Sequence, residues 1–168
     1  MSDASNKSFT LEECLRRLKV GHKLVYFDYV TGNMFQGHVA IVDNSIIFTY
    51  NMDVHEIPIK KVCGVLVNGI SSTFKSFING DFVALHLNSY DAFSVITPSR
   101  SYDMASASET AKYDICIGVS WLASEYSMHR VVPITKAKLT FYTVKMKIQE
   151  MAKERSLFFK ELFLVMFT

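Results

Sequence analysis

The sequence predicts a mainly β protein: a small, strongly bent β-barrel with an N-terminal helix and a C-terminal helical extension. Three patterns predict it. A helix-capping signature at Thr10 leads directly into short apolar segments. Those segments are separated by turn signals at Thr31-Gly32-Asn33, Asp43-Asn44 and Asn51-Met52-Asp53. After Thr135 the apolar spacing returns to that of a helix.

Residues 1–9 are polar and predict a flexible N-terminus. Thr10-Leu11-Glu12-Glu13 is a capping box, and Leu11, Cys14, Leu15 and Leu18 then share one helical face. Gly21 is the expected stop. Lys23–Val30 reads as a strand apolar on both faces, and Met34–Asp43 as the next, with Gly37 marking a bend. Ser45–Tyr50 is a third strand. His55–Val67 reads as a fourth, with Pro58 placing its start at an edge. Phe82–Leu87 and Ala92–Thr97 predict a hairpin. Residues 98–112 lack apolar periodicity and predict a mobile loop. Tyr113–Leu122 predicts a last strand. Thr135 then caps a long helix with the stripe Ala137, Phe141, Val144, Ile148 and Met151, and Lys138, Lys145, Lys147 and Lys153 lie off it. The expected organisation is a barrel portion over 10–70, further strands over 71–134, and a helix with an apolar tail over 135–168.

The 168 residues suffice for a core without staples. A net charge of +2 is too balanced for bulk attraction to nucleic acid, so DNA is not an expected partner. Cys14, Cys63 and Cys116 form no CxxC pair, which argues against zinc and for a reducing compartment. The N-terminus lacks an apolar signal core and no run reaches membrane-spanning length, so the expectation is a soluble cytoplasmic or nuclear protein without membrane insertion.

None of the five histidines sits in a metalloprotease pattern, and neither a nucleophile elbow nor a phosphate-cradling loop is present. An enzyme would need a cleft built from His38, His86 and Asp43, or a thiol at Cys63 activated by Lys60-Lys61. Packed histidines, a core cysteine and turn aspartates at Asp43 and Asp53 are the plainer readings, so no catalysis, cofactor or metal is expected. Asn51, His55, Lys60 and Lys61 form the candidate RNA contact, with Tyr26, Phe27, Tyr29 and Tyr50 as nearby aromatics. The tail around Leu157, Phe158, Leu162 and Phe163 either packs on the barrel or meets a partner. The chain ends inside this apolar run, as a piece of a longer protein would.

Residues 10–70 resemble a divergent Sm-like domain. The resemblance rests on the capped helix, Gly21-His22-Lys23-Leu24-Val25, Phe35-x-Gly37-x-Val39-x-x-Val42-Asp43, and Ile46-Ile47-Phe48. Where Sm proteins that grip RNA carry an asparagine four residues after the aspartate, this chain has Ile47, and Lys60-Lys61 replaces the Arg-Gly pair. The resemblance therefore implies a scaffold subunit of an RNA-processing or ribonucleoprotein complex, acting by protein contacts at a sheet edge and by weak RNA contact, within an oligomer or hetero-complex. Gly37-x-Val39-x-Ile41 to Phe48, with Glu56-Ile57-Pro58-Ile59, also resembles a pleckstrin-homology or GRAM-like barrel. That resemblance implies seven strands, a capping helix and an adaptor that binds a protein segment. Thr31-Gly32-Asn33 lacks the basic residues that a phosphoinositide site would need.

Overall fold

A computed structural model describes residues 10–28, 30–67 and 87–167. Helix α1 spans Leu11–Val20. The Thr10 side chain accepts the Glu13 amide at 3.2 Å, one half of the capping box, while the Glu13 carboxylate accepts from Arg16 and Arg17 instead of reaching back. At Gly21 φ is +94°, and a Cβ there would meet the His38 ring at 2.2 Å, so the stop requires glycine twice over.

Seven strands follow: β1 His22–Phe27, β2 Met34–Val42, β3 Ser45–Tyr50, β4 Asp53–Pro58, β5 Gly64–Val67, β6 Ala92–Ile96 and β7 Ser101–Ala105. They form one antiparallel sheet in the order β4-β3-β2-β1-β7-β6-β5. The first turn signals act as read. Asp43-Asn44 and Asn51-Met52 both carry positive φ at two successive residues, which is the backbone of tight two-residue hairpins. Gly37 has a further role beyond bending, because a Cβ there would lie 2.7 Å from the Thr49 carbonyl oxygen of β3.

Helix α2 spans Glu109–Tyr126 and α3 spans Lys136–Phe167. Ser108 caps α2 by accepting the Ala111 amide, and Thr135 caps α3 by accepting the Lys138 amide. One core gathers Leu18 of α1, Tyr26, Val39, Ile46, Phe48 and Ile57 of β1–β4, Val67, Phe93 and Met104 of β5–β7, and Ile115, Cys116 and Val119 of α2. A smaller cluster of Phe27, Leu87, Ala92 and Ala105 lies on the opposite face of β1.

Several expectations need correction. Tyr113–Leu122 is not a strand but the middle of α2. This helix is buried on nearly every side, so it lacks the polar stripe that marks a surface helix, and its apolar run reads like a buried strand. Residues 98–112, expected as a mobile loop, contain β7 and the first turn of α2. The strand expected over His55–Val67 is broken by a 3-10 turn at Ile59–Lys61, which carries the chain from one sheet edge to the other. The helices hold more of the described residues than the strands, so the fold is an antiparallel sheet with helices rather than mainly β. No ladder joins β4 to β5 among the described residues, so the sheet is not closed into a barrel. The sheet also crosses the boundary expected near residue 70, because β1 pairs with β7. The Phe82 arm of the expected hairpin lies outside the described residues, apart from Leu87.

Candidate interaction surfaces

The candidate RNA residues do not converge. Asn51 occupies the β3–β4 turn, whereas Lys60 and Lys61 follow the far end of β4. The six residues of β4 separate them by about 17 Å or more. The two lysines are exposed, but the Lys60 carbonyl is fixed by the Met128 amide at 3.0 Å. His55 stacks on Tyr50 at 4.7 Å with near-parallel rings, and its buried Nε2 has no hydrogen-bond partner among the described residues. That histidine is packed against the sheet rather than presented to a ligand.

Of the residues an enzyme would need, His38 and Asp43 are also apart. His38 lines a groove of about 730 Å³ with Lys23, Gln36, Asn51, Ser106 and Ser108. Asp43 lies in the turn beyond the end of β2, five residues on, and His86 lies outside the described residues. Cys63 is half-buried and donates to the Lys61 carbonyl at 3.8 Å. Among the described residues no cluster of ligating side chains could hold a metal.

Sequence reasoning missed two buried charges. Asp114 of α2 is inaccessible and receives two 2.7 Å hydrogen bonds from the Arg17 guanidinium, with His22 Nε2 at 2.8 Å. Burial works against its charge, but the hydrogen bonds from Arg17 and His22 outweigh it and hold the carboxyl below the usual range. Lys112, two residues earlier and on the face toward α3, donates to the Tyr90 carbonyl and to Thr143 Oγ1. Burial pushes its pKa down. Both groups fasten helices: Asp114 joins α2 to α1, and Lys112 joins α2 to α3 and to the turn before β6. For Asp114 the signal was a charge inside an apolar run, lost once that run was read as a strand; Lys112 fell in the segment read as a loop.

The thiols follow the same logic. Burial first, then the Asp114 charge, pushes Cys14 up to about 12, and burial pushes Cys116 up to about 12. In native protein a thiol reagent at pH 8 should therefore label Cys63 alone. Cys14 and Cys116 should react only on unfolding, and rapid labelling of all three would contradict this packing.

The remaining surface is α3. Leu139 and Thr143 are buried at its start, and Tyr113 meets Thr140 across the α2–α3 joint at 3.2 Å. The apolar stripe faces the other way. Phe141, Val144, Ile148, Met151, Leu157, Phe158, Leu162 and Phe163 are all between 43% and 65% exposed. The tail residues expected to pack or to meet a partner are thus largely exposed on α3. Among the described residues no helix is long and apolar enough to cross a membrane.

The sequence matches no protein-family model and no curated protein. Solved structures are similar in fold. Inner membrane complex sub-compartment protein 3 from Toxoplasma gondii aligns with a TM-score of 0.50 at 12% identity, over 69% of this chain and 84% of that one. Sub-compartment protein 1 from the same organism aligns with a TM-score of 0.49 at 15% identity, over 73% of this chain and 99% of that one. At these identities the likeness to the first concerns the fold alone.

Proposed function

We propose that the chain is a non-catalytic adaptor: an open barrel of the pleckstrin-homology type that binds proteins through the outward face of α3. Chain geometry supports the barrel. The two edge strands, β4 and β5, are consecutive in sequence and joined only by residues 59–63. In a flat sheet the six spacings between them would amount to about 29 Å, more than the roughly 20 Å that the link from Pro58 to Gly64 can reach. The sheet must therefore curl. Phe48 of β3 and Tyr102 of β7 stack at 5.8 Å although β2 and β1 intervene in the sheet order, as curling demands. An Sm-like domain of five strands over 10–70 would not use β6 or β7, yet β1 is bonded to β7.

The observation that carries the function is the exposed apolar face of α3. A contiguous apolar surface of this extent is costly to leave in water and marks a contact site. RNA contact has less support, because Asn51, His55, Lys60 and Lys61 are apart. The test is site-specific photo-crosslinking in cells, with a photoreactive residue at Val144 or at Lys60. Protein adducts should form from Val144 and be absent or weak from Lys60. Adducts from Lys60 alone would move the contact to the sheet edge and defeat the proposal.

A further inference from the structure

We infer that the partner of the α3 face is a second copy of this chain, packed antiparallel along the same stripe; this rests on the adaptor reading above. The stripe keeps a strict alternation of three- and four-residue steps: Phe141, Val144, Ile148, Met151, Arg155, Phe158, Leu162 and Val165. These are the a and d positions of four heptads, and seven of the eight are apolar. From Phe141 to Val165 the seam is about 36 Å long. Leu139 and Thr143, which bury themselves in the body, lie off the stripe, so the seam is clear of α2.

The single charge on the stripe sets the direction. In a parallel pair Arg155 would meet Arg155 in one core layer. An antiparallel pair centred on Lys153 instead layers Phe141 with Val165, Val144 with Leu162, Ile148 with Phe158, and Met151 with Arg155. That arrangement is two-fold symmetric, as a homodimer interface must be. It brings Glu154 of the second copy beside Arg155. It also brings Glu161 of the second copy toward Lys147, which already lies between Glu109 at 3.5 Å and the Tyr90 ring at 5.1 Å. The flanks carry Glu150, Glu154 and Glu161 among the lysines. Off the stripe α3 carries six lysines against three glutamates, so an anionic membrane surface is the competing occupant that the vesicle measurement below separates from a second copy.

Sedimentation equilibrium of the full chain tests this. The expected mass at high concentration is twice the 19.1 kDa of one chain. Ile148→Asp should weaken association by about 100-fold or more, and Arg155→Leu should tighten it by about tenfold, with unchanged circular dichroism in both. Val144→Cys with Leu162→Cys should oxidise to a covalent dimer, whereas Arg155→Cys should not. A monomer at every concentration overturns the inference, as does crosslinking through Arg155→Cys alone. If the chain is monomeric but α3 still forms adducts with other proteins, the dimer falls and the adaptor stands. If it is monomeric without adducts, both fall. A monomer that binds anionic vesicles through α3 would replace the second copy with a membrane.

Discussion

Asp114→Ala should cost about 3–5 kcal/mol of stability, the range for removing one partner of a buried ion pair. Asp114 is inaccessible, and it receives Arg17 through both carboxylate oxygens and His22 through one. Its loss removes the Arg17 and His22 ties to α2, leaving the joint to the packing of Leu18 and Cys14 and to the hydrogen bond from the Cys14 thiol to the residue-114 carbonyl. The effect depends on pH with a definite sign. Because the folded carboxyl titrates below its ordinary value, its contribution is present above the unfolded value of about 3.9 and is lost as pH falls through the lower folded value. Urea midpoints of wild type and variant should therefore lie far apart at pH 7 and converge below about pH 4. Midpoints that coincide at pH 7 would show that the ion pair carries no net stability.

Phe48→Ala should cost about 3–5 kcal/mol as well, by emptying the centre of the core. Phe48 is buried on β3, stacks on Tyr102 at 5.8 Å, and lies 6.4 Å from the Tyr26 ring. The variant also tests whether β1–β4 and the rest of the chain share one core. The single tryptophan, Trp121, lies on α2, far from Phe48 in sequence. In one cooperative core, Trp121 fluorescence and far-ultraviolet dichroism should shift to the same lower urea midpoint. A fluorescence transition unmoved by the substitution would mean that residues 10–70 fold as a unit of their own.

The first half of the fold was legible in the sequence because its signals are local. Thr10 with Glu13, Gly21, Asp43-Asn44 and Asn51-Met52 each impose a backbone conformation within a few residues, and each acts as read. The second half was not legible, because its structure depends on distant contacts. The apolar run around Ile115 is helical, being capped at Ser108 and packed between α1 and the sheet, and periodicity alone cannot separate a buried helix from a buried strand. The break at Ile59–Lys61 was hidden for a related reason. Ile57, Ile59 and Val62 all bury their side chains, so the apolar spacing continues through a place where the strand ends. Of the candidate sites, the stripe on α3 was legible because helical spacing is a local property. The cluster of Asn51, His55, Lys60 and Lys61 looked compact only because these residues are close in sequence; an extended strand holds its ends apart.

The most direct test of the adaptor account is a pair of binding measurements on the full chain and on a Phe141→Glu, Ile148→Glu variant. One measures retention of protein partners, including the chain itself, and the other measures affinity for single-stranded RNA at low salt, where phosphate contacts are strongest. The account predicts that the full chain retains protein, that the variant loses it while keeping its dichroism spectrum, and that neither binds RNA with a salt-dependent affinity. Protein retention unchanged in the variant, together with RNA binding that falls steeply with salt and disappears when Lys60 and Lys61 are replaced, would contradict it.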